Sequence, residues 1–189
     1  GHNHTKIRRL SERSTDLARV GFLNDLCRRI CRDRPEYHRV QTQLSQVRSL
    51  PIYPLWVKIL AAGVASLGFT LLFGGSWLDG LGAGVCGLVL QPVRTLLERL
   101  RTNLFFVHLF TSFVAAACAI VMCALGVGHT LSTMIIGSLM CLVPGLAITS
   151  FMRDIMAGDL MAGLTRFTES FLIATAIALG AGSALTLLR

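Results

Sequence analysis

The stretch LSTMIIGSLMCLVPGLAITSF, residues 131–151, decides the fold class of this chain. It carries no charge, and about 20 predominantly apolar residues are enough to cross the hydrocarbon core of a bilayer. A proline and a glycine, Pro144 and Gly145, follow each other in its second half. Because proline lacks the N–H of a helical turn and its ring clashes with the preceding turn, we expect the helix to break there. The sequence therefore predicts a membrane-spanning helix with a break.

Four other stretches meet or approach the length of a membrane span, and the composition agrees with them. Only 15% of the 189 residues are charged, against about 25% in ordinary soluble domains, and the mean hydropathy is +0.63. We predict an all-α membrane protein, a five-transmembrane-helix bundle preceded by a cytosolic helical arm. The bundle occupies residues 51–189, and Pro92 is expected to end or kink its second helix. The four further spans are Tyr53–Phe73, Trp77–Val93, Leu104–Leu125 and Phe167–Leu188.

Residues 1–50 form the predicted arm, which holds 11 of the 18 Lys and Arg residues. The first methionine of the chain is Met122, so we expect the arm to be truncated at its N-terminus. Apolar residues recur at helical spacing in two parts of the arm, which predicts two amphipathic helices. Their apolar faces need a partner, either each other and upstream residues or a surface of anionic lipid. The faces comprise Leu17, Val20, Leu23, Cys27 and Ile30, and then Tyr37, Val40, Leu44 and Val47.

The distribution of Lys and Arg between the loops predicts the orientation of the bundle. The arm and the links at residues 94–103 and 152–166 carry arginines, whereas the two alternate links carry none. Short loops rich in Lys and Arg stay in the cytoplasm. We therefore expect the N-terminus inside and the C-terminus outside.

The break and the charged residues that follow it form the predicted substrate pathway. In hydrocarbon, carbonyls freed near Met140 and Cys141 need polar partners, and transporters use broken helices to bind polar solutes near the midplane. A plain proline kink is the simpler alternative. The residues of the predicted pathway are Pro144, Gly145, Thr149, Ser150, Arg153 and Asp154.

For ion coupling we predict Glu169, Asp159 and Arg166. Glu169 lies in the apolar start of the fifth span, where a carboxylate is costly unless it is paired or hydrated. Burial favours the protonated form of such a group, so Glu169 is the first candidate for proton transfer. The structural alternatives are mutual neutralisation of Arg166 and Glu169, three residues apart, and a helix-capping role for Asp159.

Other features are explained by capping and packing. Ser76 and Asp79 have the spacing of a capping box, so Asp79 is expected to be a helix cap and not an ion site. Small residues four apart, such as Ala83 with Gly87 and Ala176 with Gly180, let membrane helices approach closely. The six cysteines include no CxxC pair, so we expect no metal and no cofactor. The net charge of +8 follows the orientation rule and does not indicate nucleic acid.

Four segments resemble the threonine/serine exporter family (ThrE-like), above all its split form with a YjjP-type subunit. The resemblance implies a five-helix unit of the bacterial inner membrane that exports small polar metabolites together with a second membrane unit, fused or separate (YjjB-type). Homo-oligomers are equally compatible with it. The family's substrates are threonine and serine, with succinate for a split member. The matching segments are LARVGFLNDLCRRI (17–30), YPLW (53–56), FGGSWLD (73–79) and, most specific, LVPGLAITSFMRDIMAGDLMAGLTRFTES (142–170).

The resulting hypothesis is a proton-coupled exporter, an antiporter and not an enzyme. An amino-acid zwitterion needs a cation and an acceptor, which Arg153 supplies together with Asp154 or Glu169. A dicarboxylate prefers two cations, for which Arg153 and Arg166 are available. The alternative is a non-transporting assembly or regulatory subunit whose basic arm binds a cytosolic partner or membrane lipid. An intramembrane aspartyl protease is disfavoured, because such an enzyme needs two aspartates that face each other. Asp159 would be the first, but Asp79 is expected on the opposite side of the membrane.

Overall fold

The computed structural model describes residues 17–33, 37–48 and 53–188, and these residues form helices joined by short turns, without strands. The all-α fold class is confirmed. The chain divides into two compact units between Ile52 and Tyr53. The first sixteen residues of the predicted arm and its link to the bundle at 49–52 lie outside the described part. The helices are α1 (Leu17–Asp33), α2 (Tyr37–Arg48), α3 (Leu55–Leu72), α4 (Trp77–Arg99), α5 (Leu104–Ala124), α6 (Leu131–Leu139), α7 (Gly145–Met156) and α8 (Leu160–Leu188), with a 3₁₀ turn at Met140–Leu142 between α6 and α7.

The first unit contains the two helices predicted for the arm, and they contact each other. Val47 of the predicted apolar face of α2 is buried, and so is Leu26 of α1, which the predicted face did not include. Val20 and Leu44 are about half exposed. Much of the predicted apolar surface of the arm is therefore accessible within this unit.

The second unit is an integral membrane bundle. The helices α3, α4, α5 and α8 are each long and apolar enough to cross a bilayer, and α6 with α7 gives a fifth span if the bent pair is counted as one. Three boundaries differ clearly from the prediction, and one of them is the end of α7 at Met156, where the predicted fourth span ended at Phe151. The helix α4 continues through Pro92 to Arg99, because a proline within a membrane helix is tolerated where neighbouring groups satisfy the freed backbone. The helix α8 begins at Leu160, seven residues before the predicted Phe167.

Close contacts between helices explain several of the small residues. A Cβ at Gly87 of α4 would lie 2.6 Å from the carbonyl oxygen of Ala62 in α3. A Cβ at Gly180 of α8 would overlap the carbonyl oxygen of Leu109 and the hydroxyl of Ser112, both in α5. The interior of the unit is lined largely by small side chains. Fully buried among them are Ala83, Cys86, Ala116, Ala119, Ala176 and Ala184.

Buried hydroxyl groups in the bundle donate mainly to carbonyls of their own helices. Thr70, for example, donates to the oxygen of Ser66 at 2.8 Å, and Thr111 donates to the oxygen of Val107 at 2.6 Å. A buried polar group is costly unless it is hydrogen-bonded, and this bonding satisfies the hydroxyl without a neighbouring helix. Ser112, Ser138 and Ser170 are bonded in the same way.

Asp79 is fully buried and joins α4 to the loop between α5 and α6. Its Oδ2 accepts from Ser76 N at 2.9 Å and from Ser76 Oγ at 2.8 Å, and the predicted capping box is present. Its Oδ1 accepts from the backbone N–H groups of His129 at 2.6 Å and Thr130 at 3.0 Å. The prediction of a cap is confirmed, but the second function of the carboxylate, holding a loop fifty residues away, was not predicted.

Candidate functional site

The chain breaks at Pro144, as the sequence predicts. Pro144 has φ −79° and ψ 61°, and the N–H of Gly145 donates to the oxygen of Val143 at 2.9 Å. These are the features of an inverse γ-turn. The helical segment before the break and α7 after it meet at an angle of 61°. The break is therefore a sharp change of direction and not a mild kink within one continuous helix.

The groups around the break are satisfied in ways that the sequence did not show. The oxygen of Met140 accepts from the N–H of Val143 at 3.3 Å in the 3₁₀ turn. The thiol of Cys141 lies 3.4 Å from the hydroxyl of Ser66 in α3. The hydroxyl of Thr149 donates to the oxygens of Gly145 and Leu146 in its own helix.

One side of the break is packed and the other is open. Leu142 is buried in the bundle with Leu90, Ala115 and Ile173. Gly145 is exposed, and a Cβ placed on it would meet no atom within 4 Å. Pro144 and Ser150 are half-buried. The backbone at the break is thus accessible from outside this unit.

A tight turn after α7 folds it back against the start of α8. Gly158, with φ +87°, lies in the left-handed region that favours glycine. The N–H of Gly158 donates to Ile155 O at 3.0 Å and that of Asp159 to Asp154 O at 2.9 Å, which is a Schellman ending. The side chain of Asp159 accepts from Ala162 N at 3.1 Å. The capping alternative for Asp159 is confirmed.

This hairpin of α7 and α8 assembles three of the predicted charged residues. Asp154 Oδ2 lies 3.1 Å from a guanidinium nitrogen of Arg166, and its Oδ1 lies 3.7 Å from one of Arg153. The side chain of Asp154 is 17% exposed, whereas those of Arg166 and Arg153 are 46% and 77% exposed. Nearby, the rings of Phe151 and Phe167 pack edge to face with centroids 5.4 Å apart. The result is a carboxylate held between two accessible cations.

Glu169 is half-buried on α8, about one turn beyond Arg166. The ion pair that the structure shows for Arg166 is with Asp154 across the hairpin. The sequence did not reveal this contact, because it depends on the turn at Gly158.

His108 in α5 was not predicted as a functional residue. It is 4% exposed, and its Nδ1 has no hydrogen-bond partner among the described residues. The signal in the sequence was a histidine within the apolar segment FFVHLF, and an ionisable residue in a membrane span is by default a candidate functional residue. Within the described ranges, no three His, Cys, Asp or Glu side chains are grouped so that they could hold a metal ion.

Comparisons with known proteins agree with this architecture. The model of the ThrE family of threonine/serine exporters matches residues 1–188. A "Probable threonine/serine exporter" of Mycobacterium tuberculosis (strain ATCC 25618 / H37Rv) is 26% identical over 93% of this chain and 33% of its own length. A "Probable succinate transporter subunit YjjP" of Klebsiella aerogenes is 26% identical over 80% of this chain and 59% of its own length. Its counterpart in Escherichia coli (strain K12) is 25% identical, with the same coverage.

The chain spans about a third of the mycobacterial relative and about three fifths of the YjjP subunits. No solved structure matches it significantly. The family model covers nearly every residue, and the helices of the second unit are those of an integral membrane protein. This chain belongs to the ThrE family of threonine/serine exporters.

Proposed function

We propose that this chain is one unit of a bacterial inner-membrane exporter that moves threonine or serine out of the cell in exchange for protons. The observation that supports the proposal is the Arg153, Asp154 and Arg166 cluster, which lies in the hairpin that begins at an open backbone break. The family assignment supplies the class of activity. The N-terminus faces the cytoplasm and the C-terminus faces outward, following the distribution of arginines.

The cluster has the chemistry that an amino-acid zwitterion requires. The guanidinium of Arg153 is largely exposed and makes only a 3.7 Å contact with Asp154, so it can bind the carboxylate of a solute as it passes. Asp154 or Glu169 accepts the ammonium group. Glu169, which is half-buried and follows Arg166 by three residues on α8, is the proposed residue of ion coupling in this segment. This transfer requires no chemical reaction of the solute, so the chain is a transporter and not an enzyme.

A dicarboxylate such as succinate is the second candidate substrate. Arg153 and Arg166 both approach Asp154 from accessible positions, and a solute with two carboxylates could bind one guanidinium with each. The YjjP relatives carry the printed name of succinate transporter subunits. Export of a dicarboxylate should depend more strongly on Arg166 than export of an amino acid does.

The partner in this proposal is a second membrane unit, separate (YjjB-type) or fused, or a second copy of the chain. The relatives are longer than this chain, and those named YjjP are described as subunits. The break opens toward the outside of this unit, where a partner can complete the path.

The test is efflux of labelled threonine, serine and succinate from cells that produce the full-length protein with its partner unit. Loss of a charged hydrogen bond of about 1.5–3 kcal/mol predicts a decrease of roughly 10- to 100-fold in export when Arg153 becomes alanine. If the substrate is a dicarboxylate, Arg166→Gln, which removes the second cation, causes a similar loss. If it is an amino acid, Arg166→Gln has a smaller effect. Arg99→Ala, which removes an exposed arginine at the end of α4, is the matched control. Unchanged export in Arg153→Ala would refute the pathway, and an unchanged pH dependence in Glu169→Gln would refute its role in coupling.

A further inference from the structure

His108 differs from the other buried polar residues of α5. Thr111 donates to the oxygen of Val107 at 2.6 Å and Ser112 to the oxygen of Leu109 at 3.0 Å, so both hydroxyls are satisfied. The Nδ1 of His108 is buried without a partner among the described residues. An unpaired buried polar atom is costly, and each such atom in a native structure needs an explanation.

The charged groups around His108 come from one neighbouring helix. The helices that pack on α5 are α4, α6 and α8. On α4, Arg94 and Glu98 act on the imidazole electrostatically, and they form an ion pair at 2.8 Å with side chains 32% and 48% exposed. The residues of α6 include no charged or titratable group.

The ionisable residues of α8 are distant from the imidazole along the helix axis. They are Arg166 and Glu169, which precede Gly180 by 14 and 11 residues in the sequence. Gly180 is the residue of α8 that contacts Leu109, the neighbour of His108 in the chain. At 1.5 Å per residue the two charges lie about 21 and 16 Å along α8 from that contact. The ion pair of Arg94 and Glu98 is therefore the charged environment of His108.

We propose that His108 is a proton-carrying residue of the transport cycle, with its buried and unpartnered Nδ1 as the acceptor. The proposal rests on the proposed function of the chain as a proton-coupled exporter. Histidine changes its charge near neutral pH, and a small change in surroundings is enough to shift that transition. A proton from water on one side of the membrane binds Nδ1, forming only an N–H bond, and later leaves to water on the other side.

The ion pair on α4 gives this proton an effect on the helices. A protonated imidazole attracts Glu98 and repels Arg94, so it competes with Arg94 for the same carboxylate. The side chain of Glu98 is about half exposed. Proton uptake at His108 is thereby coupled to the pairing within the last turns of α4.

The experiment uses the full-length protein with its partner unit in proteoliposomes that contain a trapped pH-sensitive dye. Labelled threonine is the probe, and succinate is run in parallel. In His108→Gln we expect the number of protons moved per solute to fall at least about 10-fold, while exchange of labelled for unlabelled solute continues. His129→Gln is the matched control, because His129 is exposed and binds Asp79 only through its backbone N–H. A proton-to-solute ratio in His108→Gln equal to that of the wild type would overturn the proposal.

The proton-to-solute ratio of the wild type shows whether a failure concerns this proposal or the proposed function. If the wild type moves solute without protons, the coupling part of the proposed function fails, and the role of His108 fails with it. A second measurement, nitrogen NMR of labelled histidine in the wild-type complex in bilayers, does not require transport. The His108 resonance, assigned by the smaller conservative change His108→Asn, should change with pH and should move when solute is added. A resonance that responds to neither pH nor solute would overturn the proposal.

Discussion

Replacing Asp79 with alanine should destabilise the bundle more than any other single change at a helix end. The carboxylate accepts four hydrogen bonds, two from Ser76 and one each from the backbones of His129 and Thr130. A hydrogen bond to a charged group contributes about 1.5–3 kcal/mol, and loss of a helix cap costs about 1 kcal/mol. The two loop bonds and the cap together give about 4–7 kcal/mol by these figures. Because water at the membrane surface can reach some of the freed N–H groups, we expect a loss of about 3–5 kcal/mol.

Two matched variants divide this effect into its parts. Ser76→Ala removes the hydroxyl of the capping box but leaves both bonds from Asp79 to the loop, so it should cost only about 1 kcal/mol. Asp79→Asn keeps one acceptor oxygen but turns an NH₂ group toward N–H donors, and its cost should lie between those of the other two variants.

The assay is unfolding of the purified full-length protein in mixed detergent micelles, followed by far-UV circular dichroism. The fluorescence of Trp77, two residues before Asp79, reports the local environment. If Asp79→Ala unfolds within about 1 kcal/mol of Ser76→Ala, the bonds to the loop contribute nothing and the reasoning is refuted. A variant that stays fully stable but loses transport would instead make Asp79 a residue of the ion path.

Two further predictions concern packing and charge. Gly180→Ala should lower the free energy of unfolding by about 1–3 kcal/mol, because the added Cβ would overlap Leu109 and Ser112. Gly182→Ala on the same helix has open space and should be neutral or stabilising. Equal unfolding midpoints for the two variants would contradict the close approach of α5 and α8. A double-mutant cycle of Asp154→Asn with Arg166→Gln should give a coupling energy of about 0.5–1 kcal/mol, because Arg166 is half exposed. A coupling energy near zero in the same unfolding assay would show that the ion pair of Asp154 and Arg166 does not stabilise the hairpin.

Features that depend on local sequence were predictable. The apolar runs located four membrane helices, the spacing of Ser76 and Asp79 gave a capping box, and Pro144 marked the break. These properties arise within one or two helical turns, where proline chemistry and hydrogen-bond geometry are fixed by residue type.

Features that depend on distant partners were not predictable. The bonds from Asp79 to His129 and Thr130 join residues fifty positions apart, and the pair of Asp154 and Arg166 forms only because the chain reverses at Gly158. Helical periodicity cannot show such contacts. The start of α8 at Leu160 was missed for a different reason, since Gly163 and the charged Arg166 interrupt the apolar pattern before Phe167.

The self-contained bonding of the buried hydroxyls has a mechanical consequence. Groups such as those of Thr70, Ser138 and Ser170 keep their hydrogen bonds when their helix moves as a rigid rod. Where two helices pack against each other through such groups, sliding of one helix along the other alters only van der Waals contacts. Shear between packed helices is a common form of domain motion. A shift along such a contact breaks none of these hydrogen bonds, whereas moving α4 away from the loop between α5 and α6 would break the two bonds that Asp79 accepts from His129 and Thr130.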